Sequence, residues 1–418
     1  MRNEVELITI GDELLLGFTI DTNGAYLSRK LAEHGIAVVR RTAVGDTVDA
    51  IKGAVGEALE RTHAVITTGG LGPTSDDLTR DAVAEVFGVL LKTDEEHLEW
   101  MRARWKKRFG RDMPISNRRQ AMIPDGARKL ENKHGSAPGV LIEDHRGFVV
   151  MLPGVPRELQ GMTEDTLLPL LHEMGAGTGG ETIKSKQLRT TGVAESLLQD
   201  KLSAVETRLI DVSLAYLPGI DGVDLRLTAR GRDPVSVSET LAKAAGAIRH
   251  EVGESVYADD TDDLARVLIA LCRSRSYKIA VAESCTGGML GARITAIPGS
   301  SDVFLGGVIA YADEVKVREL DVPREDLTVH GAVSEEVVRH MALGARKRFG
   351  ADIALAITGV AGPGGGTDQK PVGLVWICAS IGDRVEARKI QSWGDRQEIR
   401  YRAAQAVMEL ARRLLSQT

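Results

Sequence analysis

Two apolar runs in this chain end in glycines, AVITTGG at 64–70 and IALAITGVAGPGGG at 353–366, and each follows alternating strand-like and helix-like segments. A short apolar run reading into glycines is a buried strand whose end lets backbone pass close to a ligand or a neighbour. Two such ends nearly 300 residues apart call for two separate α/β sheets. At 418 residues, with about 150 per domain as a prior, two or three domains are expected.

In the front part, residues 4–10 read as a strand. Asn23 to His34 read as a helix, with Tyr26, Leu27 and Leu31 on one face and Gly35 just beyond it. IAVVRRTAV follows as a strand, Thr47 to Arg61 as a helix, then AVITTGG; FVVML at 148–152 is a further strand, and Pro156 opens a helix. This βαβαβ alternation predicts a parallel sheet covered on both faces, with ligand loops at the carboxyl ends of its strands. The glycine-rich stretch 172–182 reads as a linker. A small α+β unit comes next, with a helix from about Ser236 to Val252 and a second boundary near Tyr257 to Asp263, where Thr261 can cap the following helix. The rear part is again α/β: IAVAES is a strand running into a helix from Cys285, VFLGGVIAY is a strand, and Ser334 caps a helix. IALAITG and VGLVWICAS are strands, and a long amphipathic helix starts around WGDR. The expected fold is therefore α/β, with two three-layer α/β domains over 1–172 and 260–418 joined by a small α+β connector over 181–257.

An apolar fraction of 43% with 27% charged residues excludes a disordered chain. A net charge of -6 argues against a protein built around nucleic-acid binding. Cys272, Cys285 and Cys378 are neither an even set nor spaced as zinc ligands, which fits a reducing cytosol. Glu4, Glu6, Asp12 and Glu13 interrupt what would have to be an apolar leader, and no 18-residue apolar run occurs, so a cytoplasmic protein without membrane contact is expected.

GGLGPTSDD carries the first chemistry. Gly69, Gly70 and Gly72 allow backbone N–H groups to approach an anion, and Asp76 and Asp77 suit a hard divalent cation that bridges phosphate oxygens. Thr79 follows closely, and Gly11, Asp12 and Glu13 end another strand of the same sheet. Asn132 with GSAPG, and Pro153, Gly154, Pro156 and Glu158, supply two more such turns. The pattern is neither a dinucleotide fingerprint nor a Walker loop, so the residues alone specify an anionic ligand with a divalent metal. The plainer alternative is a turn in which Asp76 caps a helix.

AESCTGG carries the second. Ser284 sits where a strand ends, and the N–H groups of Thr286, Gly287 and Gly288 are expected to be free for a developing oxyanion. Lys316 is the expected base, since a desolvated lysine can take a serine proton. His330 and His340 are the rivals for that role, His340 reading better as a helix-surface residue. Cys285 is the rival nucleophile, or else a small buried residue. The loop TGVAGPGGG, with Gly359, Gly362 and Gly365, can hold a phosphate, and Arg396 is placed for bidentate contact.

IGDELL, TTGGLGPTSDDLT, NKHGSAPG and LPGVPREL in the front part resemble the molybdopterin-binding fold as it occurs at the front of the competence/damage-inducible CinA family. ESCTGG, Tyr311 to Lys316, HGAVSE, ITGVAGPGGG, KPVGLVW and GDR are very similar to the carboxy-terminal domain of that family, in family order. The front resemblance implies a metal-dependent ADP-ribose pyrophosphatase giving AMP and ribose 5-phosphate. Its metal would be Mg²⁺, Co²⁺ or Mn²⁺, with K⁺ as an accompanying ion, on Asp12, Glu13, Asp77 and Glu158; Asn23, Thr74, Asp76, Thr79, Gly154 and the three loop glycines would contact substrate. The rear resemblance implies a nicotinamide mononucleotide deamidase without a cofactor, in which Ser284 attacks, Lys316 is the base, and Tyr311 and Arg396 position substrate. A homodimer is implied as well.

The connector resembles the family's KH-like domain. KH domains clamp RNA through a GxxG loop between helices, whereas Gly219-Ile-Asp-Gly222 precedes a strand and carries an acid, so a structural spacer is expected. The basic run at 102–111 reads as one face of an amphipathic helix, with Leu98, Met101, Trp105 and Phe109 on the other. The competing functional class is an adaptor without catalysis, binding a pterin or serving DNA uptake.

Overall fold

The computed structural model describes residues 3–177, 181–260 and 262–417. Thr178, Gly179 and Gly180 of the expected linker, and the expected cap Thr261, lie outside the described residues. The chain divides into two compact units, Met1–Lys184 with Ala229–Glu239, and Ser185–Thr228 with Thr240–Thr418.

The first unit is built on β1 (Glu4–Ile10), β2 (Ala37–Val44) and β3 (Ala64–Thr68), a small ribbon of β4 (Leu91–Thr93) and β5 (Met122–Pro124), then β6 (Arg128–Leu130), β7 (Gly139–Asp144) and β8 (Gly147–Leu152). The main sheet has the order β2-β1-β3-β8-β7-β6. β1, β2, β3 and β8 run parallel, whereas β7 is antiparallel to β8 and to β6. The sheet is thus mixed rather than parallel throughout, because the turn at Asp144–Gly147 is too short for a crossover and can only join antiparallel strands. Alternation along β1 sends Val5 and Leu7 to one face, with Leu27, Leu31, Leu159 and Met162, and Ile8 and Ile10 to the other, with Ile51, Val55, Ala82 and Val83. Helices therefore cover both faces, giving three layers. Asp21 caps the helix Thr22–Glu33 by accepting from Gly24 N–H, and Thr47 caps Val48–Thr62. Pro156 is the first helical residue of Pro156–Met162, as expected.

The connector is a sheet of β9 (Thr182–Thr190), β10 (Val212–Pro218), β11 (Val223–Gly231) and β12 (Val256–Asp259) in the order β10-β11-β9-β12, with helices Glu195–Glu206 and Pro234–Val252. Gly219–Gly222 is the hairpin turn between β10 and β11, where Gly219 N–H donates to Gly222 O, and Asp221 holds Arg189 at 2.9 Å. The loop does not join helices and its acid is already paired.

The rear sheet consists of β13 (Ile279–Glu283), β14 (Phe304–Ile309), β15 (Ile353–Gly359), β16 (Leu374–Ile381) and β17 (Arg384–Gln391), in the order β14-β13-β15-β16-β17. The first three are parallel, the last two antiparallel. β17 is not foreseen from sequence: Arg384, Glu386, Arg388 and Lys389 mask its alternation, as suits an edge strand exposed to water. Ile353, Leu355 and Ile357 pack with Leu268, Ile399, Ala403 and Val407 on one face, while Ala354 and Ala356 meet Val337, Val338 and Met341 on the other. Ser334 caps Glu335–Phe349 as expected, and Asp263 caps Leu264–Ser274. The helix expected from Cys285 begins only at Met289, because Gly287 and Gly288 adopt φ of 57° and 97°, outside the right-handed helix. Among the described residues no helix is long and apolar enough to cross a membrane.

Candidate active sites

Each sheet reverses its strand order beside its first strand, between β1 and β3 and between β13 and β15. The crevice at such a reversal, outside the carboxyl ends, is where open α/β sheets bind ligands.

In the front sheet Ile10 and Val44 are partners, so the chain leaves β1 and β2 at one level, where Asp12 N–H donates to Asp46 at 2.8 Å and Asp46 N–H to Asp12 at 3.2 Å. Glu13, Asp46, Gly69, Gly70, Gly72, Asp76, Asp77, Gly154 and Glu158 line one cavity of about 380 Å³; Asp12 is at its edge without lining it. Gly69 has φ 108°, and a Cβ there would lie 2.2 Å from Ile10 O, so the loop passes β1 at a distance only glycine permits. Thr79 Oγ1 donates to Gly69 O at 2.8 Å, and Asn23 Nδ2 donates to Gly154 O at 2.7 Å, fastening the loops after β3 and β8. Asn132 Nδ2 reaches both Ala137 O and Glu158, tying the GSAPG turn to the cavity.

Asp77 accepts from Gly72 N–H and Thr74 N–H, each at 2.7 Å, and from the Thr74 hydroxyl. Its carboxylate organises the glycine loop and also lines the cavity, so the loop's shape is set by one of the expected metal ligands. Asp46 is the unforeseen member of the site, since VGDT carries no local signal; the β1–β2 register alone brings it beside Asp12. Its carboxyl is raised above the ordinary range by burial and by the negative neighbours Asp12, Glu13 and Asp76. The carboxylates that line the cavity, Glu13, Asp46, Asp76, Asp77 and Glu158, are the hard oxygen donors available there to a divalent cation. Among the described residues no three acidic, histidine or cysteine groups are already gathered into a cage.

In the rear sheet Ser284 follows β13, nearly buried, with its N–H donating to Ile357 O at 3.0 Å. Ala310 N–H donates to Glu283 O, which sets the end of β14, and Tyr311 with it, next to Ser284. Arg396 donates to the Tyr311 hydroxyl at 2.9 Å and to Gly362 O, so the WGDR turn, the residue after β14 and the glycine loop after β15 converge. Gly359 ends β15 and Gly365 lies exposed further along that loop. Lys316 is 1% exposed, its Nζ donating to Asp313 at 3.1 Å and to Tyr311 O at 3.2 Å. His340 pairs with Asp326 at 3.1 Å on the helix surface, and His330 lies 3.8 Å from Glu336.

What shapes this loop is not announced by the sequence. Glu283, 1% exposed, accepts from the N–H groups of Gly288, Leu290 and Gly291 at 3.0, 3.0 and 2.8 Å. Gly287 N–H is bonded to Ser284 O, so of the three N–H groups expected to be free, those of Gly287 and Gly288 are engaged and only that of Thr286 has no acceptor among the described residues. Arg400 clamps the Thr286 carbonyl at 2.6 and 3.1 Å. Burial pushes the Cys285 thiol up to about 12, which disfavours the thiolate at neutral pH. Cys272 and Cys378 are also free and buried.

Comparison with known proteins agrees with this layout. The family described as "Probable molybdopterin binding domain" matches residues 6–173, "Damage-inducible protein CinA KH domain" matches 185–258, and "CinA C-terminal domain" matches 261–415. A CinA-like protein of Gemmatimonas aurantiaca is 53% identical, over 98% of this chain and 96% of that one. A putative competence-damage inducible protein of Caldicellulosiruptor saccharolyticus is 41% identical over 98% of both. The solved structure of the competence/damage inducible protein CihA from Agrobacterium tumefaciens is 38% identical, covering 37% of this chain and 93% of that one, with a TM-score of 0.35. With all three domains matched in order and relatives similar over nearly their whole length, the chain belongs to the CinA family.

Proposed function

We propose that the chain is a cytosolic, bifunctional hydrolase of pyridine nucleotides. The rear site deamidates nicotinamide mononucleotide to nicotinate mononucleotide and ammonia. The observation that carries this reading is the convergence of Tyr311, Arg396 and Gly362 at the strand-end crevice whose central strand leads into Ser284. Ser284 Oγ forms a bond to the carboxamide carbon while its proton passes to Lys316 Nζ; the C–N bond then breaks, the proton leaves with the amine as ammonia, and water releases the acid from the serine ester. Lys316 Nζ now donates to Asp313 and to Tyr311 O, and in this step it exchanges those contacts for the serine hydroxyl. Arg396 is suited to the substrate phosphate.

The front site hydrolyses ADP-ribose to AMP and ribose 5-phosphate. Glu13, Asp46, Asp76 and Glu158 would hold a divalent cation, which offsets pyrophosphate charge among these carboxylates. Asp77 keeps the Gly69–Gly72 loop in the shape that receives the phosphates.

Purified protein given Mg²⁺, ADP-ribose and nicotinamide mononucleotide should release AMP and ammonia, with chelator stopping only the first. Absence of both products would leave the adaptor class standing. A homodimer is part of the proposal, checked by light scattering of the full chain.

A further inference from the structure

We propose that the cleft along the helix Glu95–Phe109 is a base-stacking subsite, taking the nucleobase of a nucleotide whose phosphates lie at the Gly69–Gly72 loop. The inference rests on the front pocket being a nucleotide-phosphate site, as argued above. The cleft, of about 230 Å³, is lined by Trp100, Met101, Arg104, Trp105, Phe109 and Met113, and it shares Ser136 and Glu158 with the glycine-loop cavity. The two are therefore adjoining compartments. Together their size falls in the range of about 300–1,000 Å³ typical of small-molecule sites.

Only 4% of the chain is aromatic, and two of its four tryptophans stand here. The apolar stripe expected to pack this helix does so at Leu98 and Met101, which are buried with Ala121, but Trp100 and Phe109 remain 42% and 47% exposed. Arg104 lies 5.0 Å from the Trp100 ring centre and Arg108 5.2 Å from that of Phe109, so guanidinium planes accompany the rings. Trp105 Nε1 is buried with no acceptor in the protein. Trp100 already stacks on His97 at 5.2 Å and Phe109 leans on Trp105 at 4.5 Å, so a heteroaromatic base extends an existing aromatic row and brings what the lining lacks, a ring-nitrogen or carbonyl acceptor for the Trp105 N–H. The basic face of the helix invites a strand of nucleic acid as well. The adjoining pocket argues against that, because a row of phosphates would have to pass Glu13, Asp46, Asp76, Asp77 and Glu158. Stacking tolerates any base, so the subsite selects a nucleotide without selecting adenine strongly.

The test titrates the full chain, in Mg²⁺, with AMP, GMP and ribose 5-phosphate, following tryptophan fluorescence and heat. AMP and GMP should bind within a few-fold of each other and at least about ten-fold more tightly than ribose 5-phosphate. Phe109→Ala and Trp100→Ala should each weaken AMP by about ten-fold and leave ribose 5-phosphate unchanged; Trp105→Phe, which keeps a ring and removes the N–H, should weaken AMP less. Equal affinity for AMP and ribose 5-phosphate, unaltered AMP binding in both alanine variants, or tighter binding of a short single-stranded oligonucleotide than of AMP would each overturn the subsite. ADP-ribose hydrolysis measured in parallel separates the two ideas. Base-dependent binding without hydrolysis removes the proposed reaction and keeps the subsite. Hydrolysis with unchanged KM in Phe109→Ala and Trp100→Ala does the opposite.

Discussion

The two strand-end sites occupy equivalent places in their sheets and differ in what holds their loops. In the front pocket the organising carboxylate, Asp77, belongs to the loop itself, the acids Glu13, Asp46, Asp76 and Glu158 crowd the same cavity with like charge, and the shape depends on exposed groups such as Thr74. In the rear site the organising carboxylate, Glu283, is the last residue of a central strand, 1% exposed and satisfied by three N–H groups. A loop shaped by its own half-exposed acid can rearrange when a ligand and cation arrive, whereas one shaped from the sheet is set before substrate binds.

Breaking the chemistry tests the comparison most severely. Ser284→Ala should lower ammonia release by at least about 10³-fold and leave AMP release intact, while Cys285→Ser should stay within a few-fold of the parent. Retained deamidation in Ser284→Ala with its loss in Cys285→Ser would move the nucleophile to the thiol. Next in size is the pair of organising acids. Glu283→Gln places an amide where three N–H groups need an acceptor, and should cost about 2–4 kcal/mol of stability together with most of the deamidase rate. Asp77→Asn should remove most AMP release but shift the melting temperature far less, its carboxylate being near the surface. Equal melting shifts for the two variants would erase the distinction between the loops.

Arg396→Lys is smaller still. Lysine cannot reach the Tyr311 hydroxyl and Gly362 O with one planar group, so KM for nicotinamide mononucleotide should rise about ten-fold with kcat less affected. The smallest effect is on pH. His34 and His97, both in the front unit, have pKa values lowered chiefly by burial, with His172 adding to the effect at His34. Between their folded values and the ordinary 6.5 the unfolded chain binds more protons, so their contribution to stability is whole above 6.5 and is lost as pH falls from there to the folded values. Urea melts followed by the fluorescence of Trp100 and Trp105 on the front helix should show this unit weakening as the pH drops below 6.5, and His34→Asn should flatten that slope. A front unit equally stable on both sides of 6.5 would contradict the sign.

The parts legible in the sequence were those where one residue type has one physical use. Glycine runs after apolar runs located both crevices, Pro156 and Ser334 marked helix starts, and Ser284 stood at a strand end. Other parts depend on pairing that no local pattern reports. Asp46 gains its place from the register of β1 on β2, and Glu283 looks like an ordinary strand terminus until the turn behind it closes onto its oxygens. The N–H groups expected to be free at Gly287 and Gly288 are engaged for the same reason, since these two left-handed glycines close a turn ahead of the helix that starts at Met289. β17 is hidden by its charges.

The helix Arg396–Ser416 covers one face of the rear sheet and carries Arg396 into its site. Every lining residue of the glycine-loop cavity has been made by Glu158, whereas the rear crevice waits for a segment more than 100 residues beyond Ser284. As domains fold in order of synthesis, the front unit can be complete on the ribosome while the rear sheet still shows an uncovered apolar face, which makes the rear half the one that most needs shelter during translation.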